Sequence, residues 1–134
     1  MPELKETPVS SEPLGILLIS GNHERAHYAF VLAAAAAALG RPVVVFATNE
    51  GCRALCADWS ALHESGRDAG VRARGVAGIG DLRDSALELG VRLMACEAGL
   101  RLDAIDPDRL VPGVQVAGVA TFLEACAGGQ MLSL

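Results

Sequence analysis

The sequence predicts an α/β fold: a three-layer sandwich with a mainly parallel five-stranded sheet flanked by helices. Two observations lead to this prediction. Five short apolar runs occur along the 134 residues, and segments rich in helix-forming residues lie between them. Apolar strands that alternate with helices pair in parallel through right-handed crossovers, and these crossovers place helices on the faces of the sheet.

Each predicted strand is an apolar or β-branched run bounded by turn-forming residues. The first, PLGILLIS at 13–20, is continuously apolar and ends at the pair Gly21-Asn22, as is typical of a strand buried on both faces. The second, PVVVFAT at 42–48, is the clearest strand because it is rich in β-branched residues. The other three are predicted at VRLMAC (91–96), GVQVAG (113–118) and QMLSL (130–134).

The helices are predicted from residue propensities and end signals. HERAHYAFVLAAAAAALG (23–40) consists mainly of strong helix formers and ends at Gly40, a favourable C′ residue. EGCRALCADWSALHESG (50–66) is expected to be helical in its first half, and the glycine-rich RDAGVRARGVAGIG (67–80) to be a loop. Asp81 is the predicted N-cap of LRDSALELG (82–90). The last two helices are expected within LRLDAIDPDRL (100–110) and VATFLEACAGG (119–129).

Composition and charge narrow the possible functions. The chain is 51% hydrophobic, but no apolar run reaches the roughly 18 residues of a membrane span, so none is expected. The apolar excess suits burial between subunits of a homo-oligomer. The net charge is −5 and no basic stripe is present, which argues against binding to nucleic acid.

The chain is predicted to contain a disordered leader, residues 1–13, and a single α/β domain, residues 14–134. The leader MPELKETPVSSEP is polar, has three prolines and lacks the apolar core of a signal peptide. Four cysteines in a chain without a secretion signal favour free thiols in the reducing cytoplasm.

The functional site of a parallel sheet is expected beyond the carboxyl ends of its strands, where loops and helix N-termini converge. Cys96 ends the third predicted strand. The dipole and free N–H groups of a following helix favour its thiolate, although the adjacent Glu97 opposes that charge. Cys96 is therefore the catalytic candidate. The pocket candidates at the strand ends are Gly21, Asn22, His23, Asn49, Glu50, Gly51, Cys52 and Glu97.

The other cysteines and histidines have structural interpretations beside functional ones. Cys52 and Cys56, four residues apart, would share a helix face and suit a dithiol or a metal pair, but no matching Cys or His pair follows, so a structural role is favoured. Cys126 is expected to fill the core. His23 and His27 lie one helical turn apart, and capping or solvent exposure is expected for them.

Three segments together resemble the DsrE/DsrF-like family of small sulfur-trafficking proteins: LGILLISGNHERAHYAFVLAAAAAALGRPVVVFAT, LGVRLMACEAGL and VPGVQVAGVATFLEACAGG. The resemblance extends from about Leu14 to the C-terminus and omits residues 60–80. It implies a parallel α/β fold and assembly into trimers or hexamers. It also implies a cysteine, at the position of Cys96, that accepts sulfane sulfur as a persulfide.

Two functions are therefore considered. The first is a cytosolic sulfur carrier or sulfurtransferase that needs no cofactor and exchanges sulfur through Cys96 with the thiols of other sulfur-trafficking proteins. The alternative is a non-catalytic oligomeric binding module with a small-ligand site at the carboxyl edge of the sheet. A metal site made of His23, His27 and Cys52 is a third hypothesis and would need these ligands to converge.

Overall fold

A computed structural model of the chain describes residues 12–134, which contain one five-stranded parallel sheet. All neighbouring strands are parallel, and their order across the sheet is β4-β3-β2-β1-β5. The predicted fold class is thereby confirmed. Apart from Glu12 and Pro13, the predicted leader lies outside the described residues. The strands are β1 (Leu14–Leu18), β2 (Val43–Ala47), β3 (Arg92–Cys96), β4 (Gln115–Ala117) and β5 (Gln130–Ser133).

The five α-helices of the described region are α1 (His23–Ala38), α2 (Arg67–Ala73), α3 (Ile79–Glu88), α4 (Glu97–Leu102) and α5 (Val119–Ala125), and 3-10 helices cover Asn49–Leu55 and Pro107–Arg109. Helix α1 begins where the side chain of Asn22 accepts the Glu24 N–H at 2.9 Å. It ends as predicted, because Gly40 follows with φ of 88°, a conformation that glycine adopts without strain. No helix within residues 12–134 is long and apolar enough to cross a membrane.

The core lies on both faces of the sheet, because successive side chains of each strand point to opposite sides. On β2, Val45 packs on the side of α1 and α3, whereas Phe46 packs on the side of α5. The ring of Phe46 stacks on that of Phe122 from α5, with centroids 4.9 Å apart. These two cores give the three layers that the sequence predicts.

Several local predictions are wrong. Helix α2 lies in the segment expected to be a loop, and α3 begins at Ile79 after the N-cap Gly78, so that Asp81 is inside the helix. The C-terminal end of the 3-10 helix Asn49–Leu55 is tied to α3 by Arg83, whose guanidinium donates to the carbonyl oxygens of Ala54 and Cys56 at 2.9 and 2.6 Å. These contacts join residues that are distant in sequence, and local propensity carries no signal for them.

Candidate functional site

Cys96 lies at the carboxyl end of β3 and is the N-cap of α4. Its Sγ accepts the backbone N–H of Gly99 at 3.4 Å. The thiol therefore satisfies one of the free donors at the start of this helix, as a capping oxygen would. The residue is 9% exposed, and its side chain belongs to the core cluster under α5 with Phe46, Met94 and Phe122.

Gly99 is needed for the close approach of α4 to the end of β2. A Cβ at this position would lie 2.6 Å from the backbone nitrogen of Asn49 and 2.8 Å from Oγ1 of Thr48. The absence of a side chain lets α4 pack against the 3-10 helix that follows β2. The residue three positions after Cys96 thus brings the ends of β2 and β3 together.

Glu97, the residue after Cys96, forms an ion pair with Arg101. Its Oε1 accepts from Nη2 of Arg101 at 2.8 Å, one turn along α4, and both side chains are largely exposed. The pair lines a hollow of about 330 Å³ together with Leu100, Ile105, Pro107 and Val116. The negative charge next to Cys96 that the sequence predicts is therefore part of an ion pair.

Cys52 and Cys56 are buried thiols in the turn after β2. Burial, with a smaller repulsion from Cys96, raises the pKa of Cys52 from 9.0 to about 12, and its Sγ donates to the carbonyl oxygen of Ala47 at 3.5 Å. Burial also raises the pKa of Cys56, although Arg109 and Arg83 partly oppose the shift. Both residues are at most 1% exposed, so both thiols stay protonated and inaccessible near neutral pH.

Four of the predicted pocket residues lie together at the carboxyl ends of β1 and β2. Gly21, Asn22, Asn49 and Glu50 line an open depression of about 400 Å³ with Ile19, Ser20 and His63. Cys96 and Glu97 are not among its lining residues. Gly51 and Cys52 are buried and are not among its lining residues. The sequence-predicted residues therefore form two neighbouring groups: this depression and the thiol at the end of β3.

His63 is a member of the depression that sequence reasoning missed. Its Nε2 lies 2.6 Å from Oε2 of Glu50, and its backbone N–H donates to the carbonyl oxygen of Gly21 at 2.8 Å. The residue sits in an irregular segment without a periodic pattern, so nothing in the local sequence points to this position. Only the fold brings it to Glu50.

His23 and His27 are buried, which corrects the expectation that they cap the helix or face solvent. His23 is 0% exposed, and its Nε2 lies 2.8 Å from Oδ1 of Asp68. His27 is 7% exposed, stacks on His23, and has its Nε2 2.9 Å from the carbonyl oxygen of Ala77. His23 therefore has no surface of its own, and no group of three or more His, Cys, Asp or Glu side chains within residues 12–134 could hold a metal ion.

Comparison with known proteins identifies the family. The model of the DsrE/DsrF/DrsH-like family matches residues 58–132, more than half of the chain. The chain belongs to this family. No curated protein matches the sequence.

Solved structures share the fold of this DsrE/DsrF/DrsH-like chain. The ychN protein from E. coli has a TM-score of 0.69 and 13% sequence identity over 92% of this chain and 99% of its own. MTH1491 from Methanobacterium thermoautotrophicum, described as a protein of unknown function, has a TM-score of 0.56 and 20% identity over the same shares. At these identities the likeness concerns the fold alone.

The family match covers one of the two groups of candidate residues. Cys96 and Glu97 lie within residues 58–132, whereas Gly21, Asn22, Asn49 and Glu50 precede them. Chemically, the end of β3 offers a thiol with an N–H donor, and the depression offers a carboxylate–imidazole pair with two amides. Of the two, only the thiol is a nucleophile suited to sulfur transfer.

Proposed function

We propose that this DsrE/DsrF/DrsH-like protein is a sulfur carrier that holds sulfane sulfur as a persulfide on Cys96. One observation supports this most strongly: Cys96 ends β3 at the carboxyl edge of the sheet, and its Sγ receives the Gly99 N–H. Sulfur transfer needs a cysteine that reacts as a thiolate, and a hydrogen-bond donor on the sulfur generally favours that form.

The other thiols support the proposal by contrast. Cys52, in the 3-10 helix Asn49–Leu55, and Cys56, its C-cap, are buried and have raised pKa values. Cys126 packs against Gly15 and Phe122 inside the α5 side of the core. Cys96 is thus the thiol with both a helix-terminal donor and a position at the functional edge of the sheet.

The transfer needs no cofactor and no net oxidation. The Cys96 thiolate attacks the outer sulfur of a donor persulfide, the S–S bond of the donor breaks, and the donor leaves as a thiolate. Cys96 then carries the persulfide, which exchanges its proton with water. An acceptor thiolate attacks the outer sulfur in the same way and regenerates the Cys96 thiolate.

The chemistry implies protein partners and a reducing compartment. The donor is a cysteine persulfide and the acceptor a cysteine thiol, both on other sulfur-trafficking proteins. All four cysteines of this chain are free, which suits the reducing cytoplasm. We infer a homo-oligomer because exposed apolar residues adjoin the cluster that contains Cys96. The resemblance to the family implies that it is a trimer or hexamer.

The direct test is intact-mass spectrometry of the reduced protein after incubation with sodium tetrasulfide. We expect the wild type to gain the mass of one sulfur atom and Cys96→Ser to gain none. Cyanide, which removes sulfane sulfur, should return the loaded protein to its starting mass. Peptide mapping then assigns the added sulfur.

Cys126→Ser is the matched control because Cys126 belongs to the same buried cluster as Cys96. It should load like the wild type. Loading that survives in Cys96→Ser would refute the proposal. A wild type that never loads would favour the second candidate, a binding module, which the depression of about 400 Å³ beyond β1 and β2 supports.

A further inference from the structure

The hydrogen-bond donor on the sulfur of Cys96 belongs to a glycine. Gly99 is buried in the first turn of α4, and its backbone N–H donates to Sγ of Cys96 at 3.4 Å. Every residue except proline has such an N–H, so the hydrogen bond alone does not require glycine. Glycine is also a poorer helix former than alanine. The position therefore has a constraint other than helix formation.

The constraint is the turn that follows β2. A Cβ on residue 99 would lie 2.6 Å from the backbone nitrogen of Asn49, and 2.8 and 3.0 Å from Oγ1 and Cα of Thr48. Two of these three atoms are backbone atoms, which cannot rotate away as the end of a side chain can. Asn49 also has φ of 51°, a left-handed conformation that only a few residue types adopt readily. A side chain at residue 99 must therefore displace α4, the turn, or both.

A displacement of α4 would act directly on the hydrogen bond to Cys96. Cys96 is held at the end of β3 by the parallel ladder, in which it pairs with Ala117 of β4. Gly99 belongs to α4, a helix of six residues that packs mainly against the turn after β2. The bond from Gly99 to the sulfur is already long for a donor nitrogen, so a small outward movement of α4 weakens it.

We propose that Gly99 is a positioning residue for Cys96. Because it has no side chain, the turn after β2 holds α4 where the Gly99 N–H meets the sulfur, and a donor on the sulfur favours the thiolate. Gly99 acts through this hydrogen bond and does not itself contact the donor or acceptor of sulfur. The inference rests on the proposed function, since it assigns Gly99 a part in making Cys96 reactive towards a persulfide near neutral pH.

The test compares the wild type with Gly99→Ala by alkylation with iodoacetamide between about pH 6 and 11, with peptide mapping to follow Cys96 alone. Loss of one hydrogen bond to the charged sulfur should move the pH profile upwards by about one unit. A less stabilised thiolate is also a better nucleophile. Alkylation should therefore slow about threefold on the acidic side of the profile and become about threefold faster at its alkaline limit. A change in access alone would scale the whole profile by one factor.

Gly70→Ala is the matched control. Gly70 is also a helical glycine, on α2, but a Cβ there would meet nothing within 4 Å, so its alkylation profile should equal that of the wild type. Glu97, with its partner Arg101, and Cys52 are titratable neighbours of Cys96. They are unchanged in both variants, so a difference between the two profiles reports the hydrogen bond.

A second measurement uses the wild type and does not depend on the folding of Gly99→Ala. In NMR spectra of the ¹⁵N-labelled protein, the amide signal of Gly99 should move with pH at the midpoint of the alkylation profile, because its proton faces the ionising sulfur. In Cys96→Ser the signal should stay in place over the same range. A Gly99 signal that does not respond to Cys96, or a Gly99→Ala profile that is unchanged or uniformly scaled, would overturn the proposal.

Neither readout uses sulfane sulfur. A wild type that never loads from tetrasulfide would therefore refute the proposed function, whereas the two pH profiles and the Gly99 signal decide the positioning role separately.

Discussion

Cys52 illustrates how a thiol's surroundings decide its chemistry. It lies within the turn after β2, is 0% exposed, and its pKa is raised to about 12, mainly by burial. Cys96, at the end of the neighbouring strand, has a helix N–H on its sulfur instead. Two cysteines in one corner of the molecule therefore have different surroundings: Cys52 is enclosed in the core, whereas Cys96 has a helix N–H donor at the carboxyl edge of the sheet.

The raised pKa of Cys52 predicts a specific dependence of stability on pH. Above about pH 9 the unfolded chain loses the Cys52 proton while the folded protein keeps it, so the free energy of unfolding falls as the pH rises towards 12. Cys52→Ala should reduce this slope by about 1.4 kcal/mol per pH unit well above pH 9, and by about half of that on average between pH 8 and 10, where the unfolded thiol is only partly ionised. Urea unfolding of the reduced protein at several pH values between about 8 and 10 measures it.

Cys52→Ser is the control for that experiment. Serine and alanine do not ionise in this range, so both variants should show the same reduced slope, even though their absolute stabilities differ. A slope equal to that of the wild type in either variant would mean that Cys52 ionises in the folded state as it does in the unfolded chain. Cys56, whose pKa is also raised by burial, continues to contribute in all three proteins.

Among the elements, α2 is the clearest case of a helix held by tertiary contacts. Its Asp68 is buried, lies 2.8 Å from the His23 ring, and accepts the Ile79 N–H at 2.8 Å. Burial raises the pKa of Asp68, but the Ile79 N–H and the His23 ring outweigh it and lower the pKa overall. One carboxylate thus joins α1, α2 and the start of α3.

Asp68→Asn should destabilise the protein by about 1–3 kcal/mol, since it removes the charge from two buried hydrogen bonds. Amide hydrogen exchange should accelerate in residues 67–79 more than in the sheet.

The lowered pKa of Asp68 also predicts a pH dependence. The extra free energy of unfolding of the wild type over Asp68→Asn is present above pH 3.8 and shrinks as the pH falls below it. Asp81→Asn, an exposed change on α3, should stay within about 0.5 kcal/mol of the wild type. Equal exchange rates in Asp68→Asn and wild type would contradict this account.

The same contacts explain which features were predictable. β1, β2 and β3 follow from apolar runs such as PLGILLIS and PVVVFAT, because burial on both faces leaves a signal in each segment itself. The position of Cys96 at a strand end was predictable for the same reason, but the next helix was expected within 100–110 and is α4, Glu97–Leu102. Helix α2 and the Glu50–His63 pair were not, because Asp68 and His63 act through partners 45 and 13 residues away.

At the scale of the whole molecule, the α5 side of the sheet has apolar residues that residues 12–134 leave exposed. Val116, Val119 and Leu123 are 41%, 56% and 52% exposed, and they lie on β4 and α5 beside the cluster that contains Cys96. An exposed apolar patch of this kind is typical of an interface. We infer that a second copy of the chain covers it in the proposed oligomer.

Leu123→Glu tests that inference, because burying a carboxylate in an apolar interface is strongly unfavourable. The wild type should elute as a trimer or hexamer by size-exclusion chromatography with light scattering, and Leu123→Glu should elute as a smaller species with unchanged circular dichroism. Leu89→Glu places the same charge on a leucine of similar exposure, 48%, at the end of α3 on the other side of the sheet, and it should leave the oligomer intact. A monomeric wild type, or equal dissociation by both variants, would refute the interface.

The same interface would place the partner subunit next to the cluster that contains Cys96. Iodoacetamide should then alkylate Cys96 faster in Leu123→Glu than in Leu89→Glu.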